Sequence, residues 1–441
     1  MWMNNITDLF LESIISKTDT IPDNVIEQAE LCLLDYYSCA NLGYQMMHIE
    51  IEQYLSAVKS DKGASSVIGC KQQTSMHHAA FLNGIMSHKA ELDDGHRFAM
   101  MHPGAPVISA VLAYAQSNQM SHEEVLKGII FGYEAAIRVA SAIQPGHKLK
   151  GYHATGTCGT IGAALGIACA CGYTFSQMKT VLSAASSDAA GLLELMDNIS
   201  VMKPYNCGRA AVAGINAALT GKMELEGPED VLGGSRGFFA VTAGKVNKDF
   251  LLNGINGKYA IETIYRKTYA ACRHCHPAIE AMLLLKKEYN LDPEIVEGIT
   301  IRTYETAIRG HDHSIIAGSS SAKMSMPYSV AAALIFGSAG YQEYSDKCIA
   351  EVKENGIMNR ITIEEDPRLS ALVPYKRCAE ITVFAQKKYL SKLVEYPKGE
   401  PENPVTVQEL DEKFISLMKA SNHTYDEIMR LRHAVVHDHD Y

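Results

Sequence analysis

The sequence predicts a mainly α-helical protein with a smaller α+β domain. Apolar residues recur at helical spacing through residues 6–264, and almost no stretch in this part alternates as a strand does. Alternating apolar and polar residues appear between about residues 297 and 396, and helical patterns return after residue 405. A chain of 441 residues is long enough to bury a large core and to form two domains or more.

The first part of the chain is predicted to be a series of helices. A helical pattern covers residues 6–20, and Pro22-Asp23 opens the next helix because proline suits a first helical turn. A short extended piece is expected at 67–69. The charge-free stretch 154–178 contains five glycines, which favours a tightly packed interior helix over a membrane span. Further helices are predicted at 75–90, 106–117, 122–145, 176–192 and 208–220.

The second part of the chain contains the predicted strands. They cover residues 297–304, 360–364, 379–384 and 389–396, the last two forming a hairpin. Helices are predicted between the strands at 277–290 and 327–337. Two more at 406–420 and 424–434 could return to the helical body, and the His-Asp-His-Asp run at 437–440 is interpreted as a frayed tail.

Composition and charge narrow the class of protein. Hydrophobic residues make up 47% of the chain and charged residues 20%, as in a globular protein. The formal charge of -10 and the lack of a basic stripe argue against a nucleic-acid partner. Eleven cysteines without framework spacing suit reduced thiols, and residues 1–5 lack the features of a signal peptide. We therefore expect a cytoplasmic protein with neither nucleic-acid nor membrane partners.

A dense cluster of ionisable residues marks the segment 91–104. Its members are Glu91, Asp93, Asp94, His96, Arg97 and His102. Such a cluster builds either an internal ion-pair network or a site for acid/base chemistry. We interpret the segment as a loop that forms one wall of a small-molecule active site. Arg97 either binds an anionic group or makes a structural salt bridge to Asp93 or Asp94.

Three other places carry candidate chemistry. His153 and Thr155 lie at the start of the glycine-rich helix, where a helix N-terminus favours an anionic ligand. Cys272 and Cys275, flanked by histidines, suggest zinc binding or redox work. No second ligand pair with finger spacing follows them and no thioredoxin-like pattern surrounds them, so we expect no metal there. His276-Pro277 is better interpreted as the start of a helix.

Seven short motifs, in order along the chain, resemble those of the MmgE/PrpD family. The resemblance covers about residues 5–435. The motifs are Glu-Leu-Asp-Asp-Gly-His at 91–96 with His-Pro-Gly at 102–104, Gly-Tyr-His-Ala-Thr-Gly-Thr at 151–157, Lys203 with Gly-Arg-Ala-Ala at 208–211, the segment 233–239, Arg-Lys-Thr-Tyr at 266–269 with Cys272 and His-Pro at 276–277, Ser-Met-Pro-Tyr-Ser at 325–329, and Tyr-Pro-Lys-Gly-Glu-Pro-Glu-Asn-Pro at 396–404. The family includes 2-methylcitrate dehydratase, cis-aconitate decarboxylase and iminodisuccinate epimerase.

The resemblance implies an architecture and a set of site residues. It implies a helical domain from both chain ends, 1–264 and 405–441, an α+β lid domain at 265–404, and a homodimer without metal or cofactor. The catalytic residues would be His102, His153, Lys203, Lys267 and Tyr328. The residues predicted to bind substrate are Glu91, Asp94, His96, Arg97 and Thr155, although Asp94 is expected, with Asp93, chiefly to organise the loop.

These residues favour a metal-independent acid/base enzyme acting on a small di- or tricarboxylate. The family's reactions move a proton next to a carboxylate or imine, so cationic groups must hold an enolate-like charge. We predict a lyase, either a dehydratase or a decarboxylase. A two-base epimerase is the alternative, because Gly95 stands where the lyases usually carry threonine and His96 and Arg97 also depart from the pattern. A non-catalytic helical scaffold protein is the remaining alternative.

Overall fold

The computed structural model describes residues 5–70, 72–196, 200–223 and 225–435. The chain folds as two compact units, which are described in turn. The described part of the first unit is residues 5–70, 72–196, 202–223, 225–265 and 406–435, and that of the second is residues 200–201 and 266–405. The predicted frayed tail at 437–440 and residues 1–4 lie outside the described residues.

Helices build the first unit. One short antiparallel pair, β1 (Ser65–Ser66) and β2 (Gln73–Thr74), contains the only strands among its described residues, and it replaces the extended piece predicted at 67–69. The first helix ends at Ile15, short of the predicted residue 20. The helices before the second unit are α1 (Ile6–Ile15), α2 (Asp23–Ala57), α3 (Met76–Lys89), α4 (Gly104–Asn118), α5 (His122–Ile143), α6 (Gly146–Leu149), α7 (Ala154–Ala170), α8 (Phe175–Asp188), α9 (Tyr205–Thr220), α10 (Phe238–Thr242) and α11 (Lys248–Asn253).

The glycine-rich helix α7 lies in the interior of this unit. Every one of its residues is buried, which confirms the predicted interior helix. A β-carbon on Gly162 would overlap the backbone of Gly132 on α5, so only a glycine allows the two helices to approach this closely. His153 is the residue that directly precedes this buried helix.

The second unit contains a four-stranded mixed sheet in the order β4-β3-β5-β6. Its strands β3 (Val296–Thr303), β4 (Ile361–Glu365), β5 (Ala379–Ala385) and β6 (Lys388–Val394) confirm all four predicted strands. β3 pairs parallel to β4 and antiparallel to β5. Gln386 and Lys387 join β5 to β6 with positive φ at both residues, the geometry of a tight hairpin turn. The helices are α12 (His276–Tyr289), α13 (Glu305–Ile308), α14 (Ser319–Met324), α15 (Met326–Phe336), α16 (Asp346–Asn355) and α17 (Pro367–Ser370).

Two C-terminal helices, α18 (Val407–Ala420) and α19 (Tyr425–His433), belong to the first unit. α18 packs on α2, where Lys413 forms a 2.6 Å ion pair with the buried Asp35. Lys413 also donates a 2.7 Å hydrogen bond to the carbonyl of Leu92, so this helix is bonded to the acidic loop at 91–104. The observed elements confirm the predicted fold class, mainly α with a smaller α+β part. Among the described helices, none combines the length and apolar character that a membrane crossing requires.

Candidate active site

The acidic loop joins α3 to α4 and is held by Asp94. One carboxylate oxygen of Asp94 accepts a 3.0 Å bond from the amide of Gly104, the first residue of α4, and the other accepts a 2.5 Å bond from the Tyr133 hydroxyl on α5. Burial raises the pKa of the Asp94 carboxyl to about 7, against the lowering effect of the Tyr133 bond. Both oxygens of Asp94 are engaged within the protein, as expected of a residue that organises the loop.

His88, His102 and Asp93 form a cluster next to Asp94, in which His88 and Asp93 are buried. Nδ1 of His88, in the last turn of α3, lies 2.8 Å from Oδ2 of Asp93. The rings of His88 and His102 are 4.6 Å apart between centroids. Nε2 of His88 lies 3.4 Å from Oε1 of Glu91. His88 is not among the residues predicted from the sequence, although its position three residues before Glu91 near a helix end is a usable signal.

Glu91 and Lys203 form an ion pair in which the lysine donates a hydrogen bond to Oε1 of the glutamate. Both side chains are about nine-tenths buried, with relative exposures of 10% and 11%. Glu91 has a φ of 58°, which turns the chain directly after α3. Lys203 lies just before α9. The structure thus brings together two of the predicted residues that are 112 positions apart.

His153 is the second imidazole of the site and has a defined tautomer. The amide nitrogen of Asn206, in the first turn of α9, donates to Nδ1 of His153 over 3.0 Å. Burial and then the positive charge of Lys203 lower the pKa of His153 to about 3. His153 is therefore neutral, and because its Nδ1 is an acceptor, its proton is on Nε2. Asn206 is not among the residues predicted from the sequence, since a lone asparagine in an apolar helix carries no signal.

His102 has the opposite tautomer. Its Nδ1 donates to the backbone carbonyl of Asp94 over 2.7 Å, which leaves a lone pair on Nε2 when the ring is neutral. The amide of His102 donates a 3.0 Å hydrogen bond to Oγ1 of Thr155, so the loop is tied to the first turn of α7. The first unit thus contains one imidazole that, when neutral, can accept a proton through Nε2 and one that can donate a hydrogen bond through Nε2.

His96 and Arg97 are both buried in the loop. Nδ1 of His96 accepts a 3.0 Å bond from the amide of Ala99, and its Nε2 lies 3.1 Å from the hydroxyl of Thr263. Both ring nitrogens therefore contact the protein itself. The guanidinium of Arg97 lies over the Phe98 ring, 5.2 Å from its centroid. Substrate binding by His96, Arg97, Asp94 and Thr155 stays a prediction.

Lys267 and Tyr328 belong to the second unit. Lys267 is fully buried. Tyr328 lies in the first turn of α15, and its hydroxyl donates a 2.6 Å bond to the carbonyl of Glu343. Burial raises the pKa of the Tyr328 phenol. Their catalytic roles stay predictions.

The cysteine pair of the second unit has local contacts. Sγ of Cys272 lies 3.6 Å from Nε2 of His311, and Cys275 is buried. Over the described chain, the one cluster of three or more residues with metal-binding donors is His88, Glu91 and His102, so Cys272 and Cys275 belong to no such cluster.

Two family models match the chain in succession. The MmgE/PrpD N-terminal domain matches residues 15–251, and the MmgE/PrpD C-terminal domain matches residues 269–434. These matches confirm the resemblance seen in the motifs.

Curated relatives match part of the chain. Cis-aconitate decarboxylase of Aspergillus terreus (strain NIH 2624 / FGSC A1156) is 30% identical over 294 residues, which are 63% of this chain and 59% of that protein. Human cis-aconitate decarboxylase is 27% identical, covering 55% of this chain and 51% of the relative. The 2-methylcitrate dehydratase of Cupriavidus necator is 28% identical, with coverages of 52% and 50%. The chain spans about half to six-tenths of the length of these relatives. With models for both domains matched in order, the chain belongs to the MmgE/PrpD family.

Proposed function

We propose that this protein is a lyase that acts on a small tri- or dicarboxylate by moving a proton at a carbon next to a carboxylate. The observation that carries the proposal is the pair of opposite tautomers at His102 and His153, close to the buried Glu91–Lys203 ion pair. The relatives named cis-aconitate decarboxylase and 2-methylcitrate dehydratase support the same reaction class.

The chemistry explains why these groups suit such a reaction. A carbon next to a carboxylate is a weak acid, because removing its proton puts a further negative charge beside one already present. The ammonium of Lys203 and the Nε2–H of His153 would stabilise that charge, and the Nε2 lone pair of His102 would carry the proton. Burial strengthens the interactions of Lys203 and His153 because little water competes with them.

The two lyase reactions use this proton in opposite directions. In decarboxylation, the bond to carbon dioxide breaks first, and the electron pair left on carbon takes a proton from the protonated form of His102. In dehydration, neutral His102 removes a proton from carbon, and the hydroxyl on the adjacent carbon leaves as water after a second group protonates it. Neither reaction, as proposed, needs a metal or an organic cofactor.

Epimerisation is a second candidate, which the lone pair on Nε2 of His102 and the ammonium of Lys203 favour. His102 would remove a proton from one face of a carbon, and the ammonium of Lys203 would return one to the opposite face. This reaction has no leaving group and therefore changes no bond other than the two to hydrogen.

Proton NMR in D2O separates these candidates. The full chain is incubated separately with cis-aconitate, with 2-methylcitrate and with an aspartate-type dicarboxylate. The proposal predicts a decarboxylated product or new olefinic signals, whereas deuterium entering without net loss of substrate would indicate an epimerase. A His153→Ala preparation serves as the control for contaminating enzymes. If no acid changes even at high protein concentration, the proposal is wrong and the hypothesis of a non-catalytic scaffold protein remains.

A further inference from the structure

We infer that His88, Glu91 and His102 form a binding site for a divalent transition-metal ion of the zinc class, and that its occupancy inhibits the enzyme. One potential ligand atom from each residue lies within 4.8 Å of the other two. Two imidazoles and a carboxylate are a ligand set that zinc accepts, with water as the fourth ligand. The binding part of this inference stands by itself, and the inhibitory part rests on the proposed function.

The first argument is the arrangement of His88 and Glu91. His88 is fully buried, and because its Nδ1 donates to Asp93, its Nε2 presents a lone pair in the neutral ring. That atom has no hydrogen-bond partner and lies 3.4 Å from Oε1 of Glu91. Two electron-rich atoms that face each other in a buried place are stabilised by a cation between them. Ligand atoms on a tetrahedral zinc, with bonds of about 2.0–2.1 Å, lie roughly 3.4 Å apart.

The second argument is the set of residues behind these ligands. Histidines that bind metals usually donate their other ring N–H to a carboxylate or a backbone carbonyl, which fixes the tautomer and orients the ring. Nδ1 of His88 lies 2.8 Å from Asp93, and Nδ1 of His102 lies 2.7 Å from the carbonyl of Asp94. Both histidines therefore already have the supporting contact that a metal ligand needs.

Metal binding here would oppose the proposed reaction. An ion held by Glu91 would compete with Lys203 for Oε1, the oxygen to which Lys203 is hydrogen-bonded. An ion held by His102 would use the Nε2 lone pair that is proposed to carry the proton. The same residues would thus serve catalysis when the ion is absent and hold the ion when it is present.

Titration of the full, metal-free chain with Zn²⁺ alone and Co²⁺ alone tests the site. We expect calorimetry to detect one site per chain that His88→Gln and Glu91→Gln each weaken by at least about 10-fold. His78→Gln is the matched control, because His78 lies on the same helix and contacts a different carboxylate, Asp61. Circular dichroism shows whether each variant is folded. If His88→Gln does not fold, the nearly isosteric Glu91→Gln decides the question.

The Co²⁺ spectrum identifies the ligands. A site of two imidazoles and a carboxylate should give visible bands of a tetrahedral ion without thiolate charge-transfer bands, which any of the eleven cysteines would produce as ligands. Binding that survives in both variants, thiolate bands, or no binding at all would overturn the site.

An activity assay tests the inhibitory part separately. Zn²⁺ should abolish turnover of whichever acid the NMR assay identifies, and EDTA should restore it. Binding at the site without loss of turnover would overturn the inhibitory role. If no acid is turned over, the proposed function fails, while calorimetry and the Co²⁺ spectrum still decide whether the site exists.

Discussion

The phenol ring of Tyr265 fills the space that a side chain at residue 95 would need. A β-carbon built on Gly95 would overlap both the hydroxyl and the ring of Tyr265. Two backbone hydrogen bonds, of 3.0 and 2.8 Å, hold Gly95 and Tyr265 together in an antiparallel bridge. The glycine that departs from the family pattern is therefore explained by the tyrosine against which it packs.

Gly95→Thr should destabilise the protein by about 1–3 kcal/mol, because the added side chain overpacks a buried contact. Tyr265→Ala should also destabilise, since it leaves a cavity. The double variant should lose less than the sum of the two single losses in urea unfolding, because the threonine then occupies space that the ring has left. Gly298→Thr, where nothing lies within 4 Å of the added carbon, is the control. Strict additivity would contradict this account.

Asn206→Asp should move the acid limb of the pH–rate profile to higher pH. A carboxylate beside Nδ1 of His153 stabilises the imidazolium, so the pKa of His153 rises from its low value. Asn206→Leu, which removes the donor without adding charge, should lower kcat about 10- to 100-fold with little change in KM. Nitrogen-15 NMR of the histidines checks the tautomer directly. An unchanged profile in Asn206→Asp would show that His153 is not oriented by this contact.

Lys203→Met and Glu91→Gln should each destabilise the fold, by about 3 kcal/mol, because each removes the opposite charge that is paired with a buried ionic group. The double variant Lys203→Met/Glu91→Gln should recover part of this loss, since neither charge remains. Urea unfolding of all four proteins measures the coupling free energy. If the double variant loses as much unfolding free energy as the two single variants together, the two side chains do not interact in solution.

His147 should make the protein less stable in acid. Burial lowers the pKa of His147 from 6.5 to about 4, so between these values the unfolded chain binds a proton that the folded protein does not. The contribution of His147 to the free energy of unfolding is therefore fully present above about pH 6.5. It falls by up to about 3 kcal/mol as the pH decreases towards 4. His147→Gln should lack this component in urea unfolding measured at pH 7 and at pH 4.5. His48→Gln, an exposed histidine on α2, is the control.

Lys267→Ala and His153→Ala should each reduce turnover by at least about 100-fold while the fold survives, if both residues stabilise charge in the reaction. Circular dichroism and thermal melting establish that the variants are folded. Lys287→Ala, an exposed lysine on α12, should retain full activity. Full activity in Lys267→Ala or in His153→Ala would show that this residue is not catalytic.

Local physics made most of the fold predictable. Helix α5 starts at a capping box of Ser121 and Glu124 and then keeps its apolar spacing, and strand β5 alternates between buried and partly buried residues. These signals depend on residues that are close together along the chain, so they can be recognised from the sequence alone. Helix α16 was missed because only Ile349 and Val352 of its ten residues are buried, too few to show a period.

The candidate site was predictable in its residue types but not in its geometry. The acidic loop, His153 and Lys203 are recognisable from motifs along the chain. His88 lies outside those motifs and is marked only by its spacing from Glu91, and Asn206 carries no signal. The proton positions on His102 and His153 depend on Asp94 and Asn206, and Asn206 lies 53 residues from His153. Sequence alone therefore determined the fold class and the ionisable groups. Only the tertiary structure decided which nitrogen donates and which accepts, because those partners meet only when the helices pack.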